Sequence, residues 1–276
     1  MSDLETAVAP EERTEILASR LPASEAEPAE HPRASRPKNS IFEFQSLLSI
    51  TVIVLFAITF VVQAFRVPSE SMERTLLVGD FLLADKMHFA EGGGWWSRIL
   101  PYEPIERGDI IVFRYPVDPS TYFVKRVIGI PGDRIRLEDK TVYLNGKPLR
   151  EGYAVHQLHD QDSYRDDFPK MENLPGSVDE HWQVNIWRYL QGRELVVPGD
   201  SYFVMGDNRD RSLDSRYWGF VPRGSIMGRP LIIYLSVRGL YSHEDADSDG
   251  KLIPSGQLVA HFLQLARWNR MFHLVH

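Results

Sequence analysis

The chain has 276 residues, 31 Lys and Arg against 38 Asp and Glu, and a net charge of −7. That acidic balance argues against a nucleic-acid partner, whose binders are ordinarily basic. The absence of cysteine excludes disulfides, a thiol nucleophile and thiolate metal sites. With 43% hydrophobic and 25% charged residues the chain reads as globular, long enough for one large domain or for a core domain carrying an insertion.

Residues 1–40 are rich in Ala, Glu, Pro and Ser and poor in large apolar side chains. Such a segment buries too little surface to offset chain entropy, so a disordered tail is expected. From Phe44 to Phe65 there is no charged residue. The run is apolar all round rather than amphipathic, and long enough to cross a hydrocarbon core of about 30 Å. A cleavable leader would have a shorter apolar stretch nearer the N-terminus. Residues 41–65 are therefore expected to form one transmembrane anchor. Arg33, Arg36 and Lys38 precede it and Arg66, Arg74 and Lys86 follow it. The tally is equal, and the denser N-terminal cluster favours a cytoplasmic tail. The expectation is a single-pass protein of the cytoplasmic membrane, in contact with the lipid bilayer, with residues 66–276 on the extracytoplasmic side.

Past the span, short β-like runs alternate with turn signals. Asp109 to Tyr115 is one, and Thr121 to Ile130 is another, ending at Pro131-Gly132-Asp133. Thr141 to Leu144 turns at Asn145-Gly146, the strongest short hairpin signal. Ser201 to Met205 and Leu231 to Ser236 follow the same pattern. The expected fold is mainly β, built of antiparallel sheets. Residues 138–195 are more polar, with Asp160, Asp162, Asp166 and Asp167 close together, and read as an inserted subdomain.

Three segments carry chemistry. The first is Pro68-Ser69-Glu70-Ser71-Met72-Glu73-Arg74-Thr75-Leu76, the second Lys125 to Asp133, and the third Gly206-Asp207-Asn208-Arg209-Asp210-Arg211-Ser212-Leu213-Asp214-Ser215-Arg216-Tyr217-Trp218-Gly219. A serine hydroxyl is a poor nucleophile until a base removes its proton. A lysine amine is such a base only when neutral, which burial in apolar surroundings promotes. Strand alternation puts Phe123 and Lys125 on one face and Val124 on the other, with Arg126 pointing away. An arginine could not be deprotonated in any case, which leaves Lys125 as the candidate base.

These three segments, with Arg107-Gly108-Asp109-Ile110-Ile111-Val112-Phe113 as a fourth, resemble in order the boxes of bacterial type I signal peptidases, the serine–lysine leader peptidases. The resemblance implies that Ser71 is the nucleophile and Lys125 the general base. Ser69 is similar to the hydroxyl that joins the Ser71 amide in an oxyanion hole. Ser212 matches a serine that orients the lysine amine, Asp214 and Arg216 a supporting ion pair, and Asp207 a structural acid. Val67, Pro68, Met72, Leu76, Phe123 and Val124 resemble the walls of small-residue pockets. The implied activity is removal of N-terminal signal peptides from exported preproteins near the secretion translocon. Cutting would follow small residues in an Ala-x-Ala-like pattern and pass through an acyl-enzyme, with no cofactor and no metal. One position departs from the pattern, because Arg74 stands where the family usually has a proline that would stiffen the turn.

Other patterns carry less. Ser35-Arg36-Pro37-Lys38 spells Ser-x-x-Lys inside the tail. His156 and His159 could share a helix face but read as an exposed pair. Asp245 to Gly250 opens like a calcium loop, yet Gly256 falls where a bidentate Glu is needed. Trp95 and Trp96 fit either core packing or contact with lipid headgroups, and the second is the expectation.

Overall fold

The computed structural model describes residues 40–56, 61–86, 103–170, 172, 174–238 and 263–275. The tail, Trp95, Trp96 and the stretch from Asp245 to Gly256 lie outside the described residues. The elements in chain order are α1 (Ser40–Phe56), β1 (Val62–Arg66), β2 (Asp80–Asp85), β3 (Ile110–Arg114), β4 (Tyr122–Gly129), β5 (Arg134–Glu138), β6 (Thr141–Leu144), β7 (Lys147–Pro148), α2 (Glu180–Asn185), β8 (Leu190–Gln191), β9 (Glu194–Val196), β10 (Ser201–Met205), α3 (Ser215–Trp218), β11 (Val221–Pro222), β12 (Ile226–Ser236) and β13 (His273–Leu274).

The strands form two antiparallel sheets, and the fold is mainly β. The larger runs β1-β2-β12-β3-β4-β10-β11, with β13 added to β12; the smaller runs β7-β6-β5-β9-β8. In the larger sheet, β4 and β10 are neighbours, and the whole smaller sheet lies between them in sequence. It starts at Arg134 and ends at Val196. Strand β3 is buried on both faces from Ile110 to Phe113, as suits a central strand. In β5, Ile135 and Leu137 turn inward while Arg134 and Glu138 face solvent, the alternation of a sheet with one covered face. Asn145 and Gly146, both at positive φ, close the β6–β7 hairpin as their sequence signals.

The expectation of a helix through Phe65 is corrected by β1. Residues 62–66 are a strand paired with β2 from Val62↔Asp85 to Arg66↔Phe81, and Phe65 packs with buried Ala84 and Val112. The absence of charge marks an apolar segment but does not separate a helix end from an apolar strand that follows it. The β domain thus begins by Val62 rather than at Arg66. Helix α1 has 17 residues, and its large side chains from Phe44 to Phe56 are exposed. Among the described residues no helix is long and apolar enough to cross a membrane.

The C-terminal residues clasp the turn that follows Ser71. Asp80 is fully buried and accepts from Ser236 Oγ at 2.6 Å and from Arg270 Nη2 at 2.7 Å. The Leu77 amide donates to the same carboxylate at 2.9 Å, and Arg267 Nη2 reaches the Val78 carbonyl at 2.7 Å. Removing the acid from a buried pair strands its cationic partners. Asp80→Ala is expected to lower stability by about 3 kcal/mol in denaturant unfolding, with Arg270→Ala costing less because its side chain is partly exposed.

Candidate active site

Strand β4 carries the central side chain. Its register with β3 pairs Lys125 with Ile111 and Phe123 with Phe113. Strand β10 joins β4 only at Arg126, Val127 and Gly129. The edge from Tyr122 to Lys125 therefore has no β10 partner, and a groove opens there. Its lining is Arg66, Val67, Pro68, Ser69, Ser71, Met72, Tyr122, Phe123, Val124, Lys125, Arg211 and Leu213, around a cavity of about 220 Å³. Of the wall residues expected from sequence, Leu76 is absent from this lining. It is fully buried in the core with Val67, Met72 and Leu82, where it fixes the turn instead.

Ser71 sits in a short 3-10 turn, Glu70–Met72, pinned by buried Met72. Lys125 Nζ lies 2.5 Å from Ser71 Oγ, and Ser69 Oγ lies 3.2 Å from the same oxygen. Burial is the largest influence on Lys125 and pushes its amine from the ordinary 10.5 down to about 8. Asp214 and Asp207 pull the value up and Arg216 pushes it down, but none of these overcomes the loss of water.

The third segment wraps the amine and the serine. Gly206 approaches so closely that a Cβ there would lie 2.4 Å from the Ser71 carbonyl oxygen and 2.3 Å from Ser212 Oγ. The Asn208 amide donates to that same Ser71 carbonyl at 3.1 Å. Ser212 Oγ accepts from the Gly206 amide at 3.1 Å and hydrogen-bonds the Asp214 carboxylate. The amine's hydrogen bond is to Ser71, whereas Ser212 is bonded to the backbone of this loop and to Asp214. Asp214 caps α3 and pairs with Arg216, Nε to Oδ1 at 2.9 Å, both fully buried. Burial alone would push the Asp214 carboxyl up, but Arg216, Ser212 and Lys125 together hold it below the usual carboxylate range.

Arg126 faces away from Lys125, as alternation requires, but it is not solvated. Its guanidinium grips Asp207 at 2.8 and 2.9 Å and donates to the Gly108 carbonyl at 2.7 Å. Thr75 Oγ1 donates to Asp207 at 2.5 Å. Asp207 thereby ties β4, the turn after Ser71 and the third segment into one unit. Sequence reading singled out Asp207 but missed Arg126, Thr75, Gly206 and Asn208. A Gly beside Asp-Asn signals a turn, and nothing local says that the turn lies against a serine 135 residues earlier. His156 Nδ1 faces Asp210 at 3.7 Å, and no metal-ligand group is found among the described residues.

A serine hydroxyl is thus held against a water-shielded amine, beside a strand edge that β10 leaves unpaired. The family described as Signal peptidase, peptidase S26, matches residues 41–235. Signal peptidase I of Pseudomonas aeruginosa is 33% identical over 83% of this chain and 84% of its own length. That of Aquifex aeolicus is 36% identical over 69% and 82%. A solved signal peptidase I from Enterococcus faecalis is 37% identical, covers 46% of this chain and 97% of its own, and gives a TM-score of 0.35. The chain belongs to the signal peptidase family, peptidase S26, and is a hydrolase.

Substitutions at two positions test the geometry. In Gly206→Ala the new methyl has to displace the Ser71 carbonyl, and a shift of about 1 Å near the chemistry costs about 100-fold in rate. Cleavage by a protein with a native circular-dichroism spectrum should fall by about that factor. Arg74 sits at φ 90, which proline, locked near −65°, cannot adopt. Arg74→Pro is therefore expected to inactivate, whereas Arg74→Gly should fold and cleave like the parent.

Proposed function

We propose that the chain removes N-terminal signal peptides from exported preproteins, with Ser71 as nucleophile and Lys125 as general base. The observation that carries the reading is the 2.5 Å approach of Lys125 Nζ to Ser71 Oγ, made by a buried amine that loses its proton near pH 8. In the neutral state the serine O–H donates into the amine lone pair. Attack on the scissile carbonyl passes that proton to Lys125, which then hands it to the departing amine. The Ser69 hydroxyl and the Ser71 amide receive the developing oxyanion, a contribution of about 3 kcal/mol per donor. The same amine then activates the water that releases the acyl group.

The substrate would lie extended along the Tyr122–Lys125 edge, gaining main-chain hydrogen bonds there. Val67, Pro68, Met72, Phe123 and Val124 leave room for small side chains, in keeping with an Ala-x-Ala-like preference. The exposed apolar length of α1 and the charge-free sequence from Phe44 to the start of β1 support a membrane anchor, with the β domain outside and near the translocon.

Ser71→Ala and Lys125→Ala should each abolish cleavage of a model preprotein in detergent, and the double variant should be no worse than either. Lys125→Arg should fail too, because arginine keeps its proton. Ser212→Ala should lose less. Activity should rise with pH through about 8 as the amine becomes neutral. Between about 8 and 10.5 the unfolded chain holds a proton that the folded chain has released, so stability should rise with pH across that window. Lys125→Met should abolish that rise. Substantial activity in Lys125→Ala would send the search for a base elsewhere.

A further inference from the structure

The smaller sheet has no part in the chemistry so far, yet its connection reaches the catalytic turn. Residues 151–158 follow β7 and lie beside residues 207–209. The Val155 amide donates to the Asp207 carbonyl at 2.7 Å, and the Arg209 amide donates to the Val155 carbonyl at 3.0 Å. Arg209 is 2% exposed, and its guanidinium is divided between two duties. Nη1 and Nη2 grip the two carboxylate oxygens of Glu151, the first at 2.6 Å. Nε donates to the Gly206 carbonyl at 3.1 Å. The Arg209 carbonyl in turn accepts from Arg216 Nη2 at 2.7 Å. From the same segment, Tyr153 stacks over the Arg126 guanidinium at 4.2 Å, and Gln157 Nε2 donates to Glu73, two residues past Ser71, at 2.7 Å.

We infer that Glu151 is a positioning residue for the peptidase reaction: through Arg209 it holds the 206–209 turn against Ser71 and Lys125, and this brace is what the inserted sheet contributes to catalysis. The inference rests on the Ser71–Lys125 reading above. Glu151 touches neither reacting group. It acts because Gly206 and Asn208, on the turn it braces, contact the Ser71 carbonyl, and because that loop shields an amine faced by Asp214, Arg216 and Asp207. Without the carboxylate, Arg209 is a buried charge with no counter-ion, and such a charge draws water or moves. Either response opens the turn.

The test uses the full chain in detergent and a synthetic signal-peptide substrate. It compares the parent with Ser71→Ala, Glu151→Gln and Glu151→Asp, with the folded fraction taken from circular dichroism. Glu151→Gln should lower kcat per folded molecule by about 100-fold and leave KM near the parent value, since the groove is untouched. Its activity should also rise at a higher pH than the parent's, because water now reaches Lys125. Glu151→Asp should restore part of the rate. A Glu151→Gln protein with a lower Tm but the parent's kcat and pH profile overturns the inference and leaves the pair a structural tie. Should Glu151→Gln fail to fold, exposed Gln157→Ala carries the test, with a several-fold fall in kcat supporting the brace and parental kcat overturning it. Cleavage by Ser71→Ala would instead remove the underlying reading, and the inference with it.

Discussion

The structure depends on keeping water from one amine. A lysine in solvent holds its proton at any pH at which a cell lives and is useless as a base. Lys125 differs because β3, β4 and the Gly206–Gly219 loop surround it, so that the cost of a buried charge outweighs the pull of Asp214 and Asp207. The balance is narrow, since two acids nearby work against it. Small movements of the loop therefore alter the protonation of this amine before they alter the fold.

That constraint accounts for the charges gathered around the site. Arg126, Arg209 and Arg216 are nearly inaccessible, as are Asp207 and Asp214. Buried pairs contribute little net stability, because desolvation offsets their attraction. Their value here is geometric. Each guanidinium combines a carboxylate with a backbone carbonyl: Arg126 with Asp207 and Gly108, Arg209 with Glu151 and Gly206, Arg216 with Asp214 and Arg209. Planar five-donor groups fix a loop in this way without bringing in water, which lysines could not do.

Local patterns were legible in the sequence where local physics governs. Ser201 to Met205 and Thr141 to Leu144 are strands with the bounds that their β-rich composition and turn residues announce, and Asn145-Gly146 takes the positive φ values that its hairpin needs. Ser71 and Lys125 were legible through their surrounding motifs, and they meet. Illegible were the features set by partners far along the chain. Val62–Arg66 joins β2 as a strand because Phe81–Asp85 offers it an edge, although its composition continues the apolar run. Leu76 matches a pocket wall by position but is drawn into the core. The ties of Arg126, Gly206 and Glu151 span dozens of residues and leave no local signal. Arg74 shows the converse, since its φ of 90 makes this turn one that the usual proline could not enter.

The account stands or falls on the protonation of one side chain, which can be observed without substrate. In the intact protein labelled with carbon-13 at lysine Cε, nuclear magnetic resonance across a pH series should resolve one lysine that titrates near 8. That resonance should be missing from Lys125→Met. If the Lys125 resonance titrates at the ordinary 10.5 instead, the amine is charged at working pH, and the proposed base does not exist.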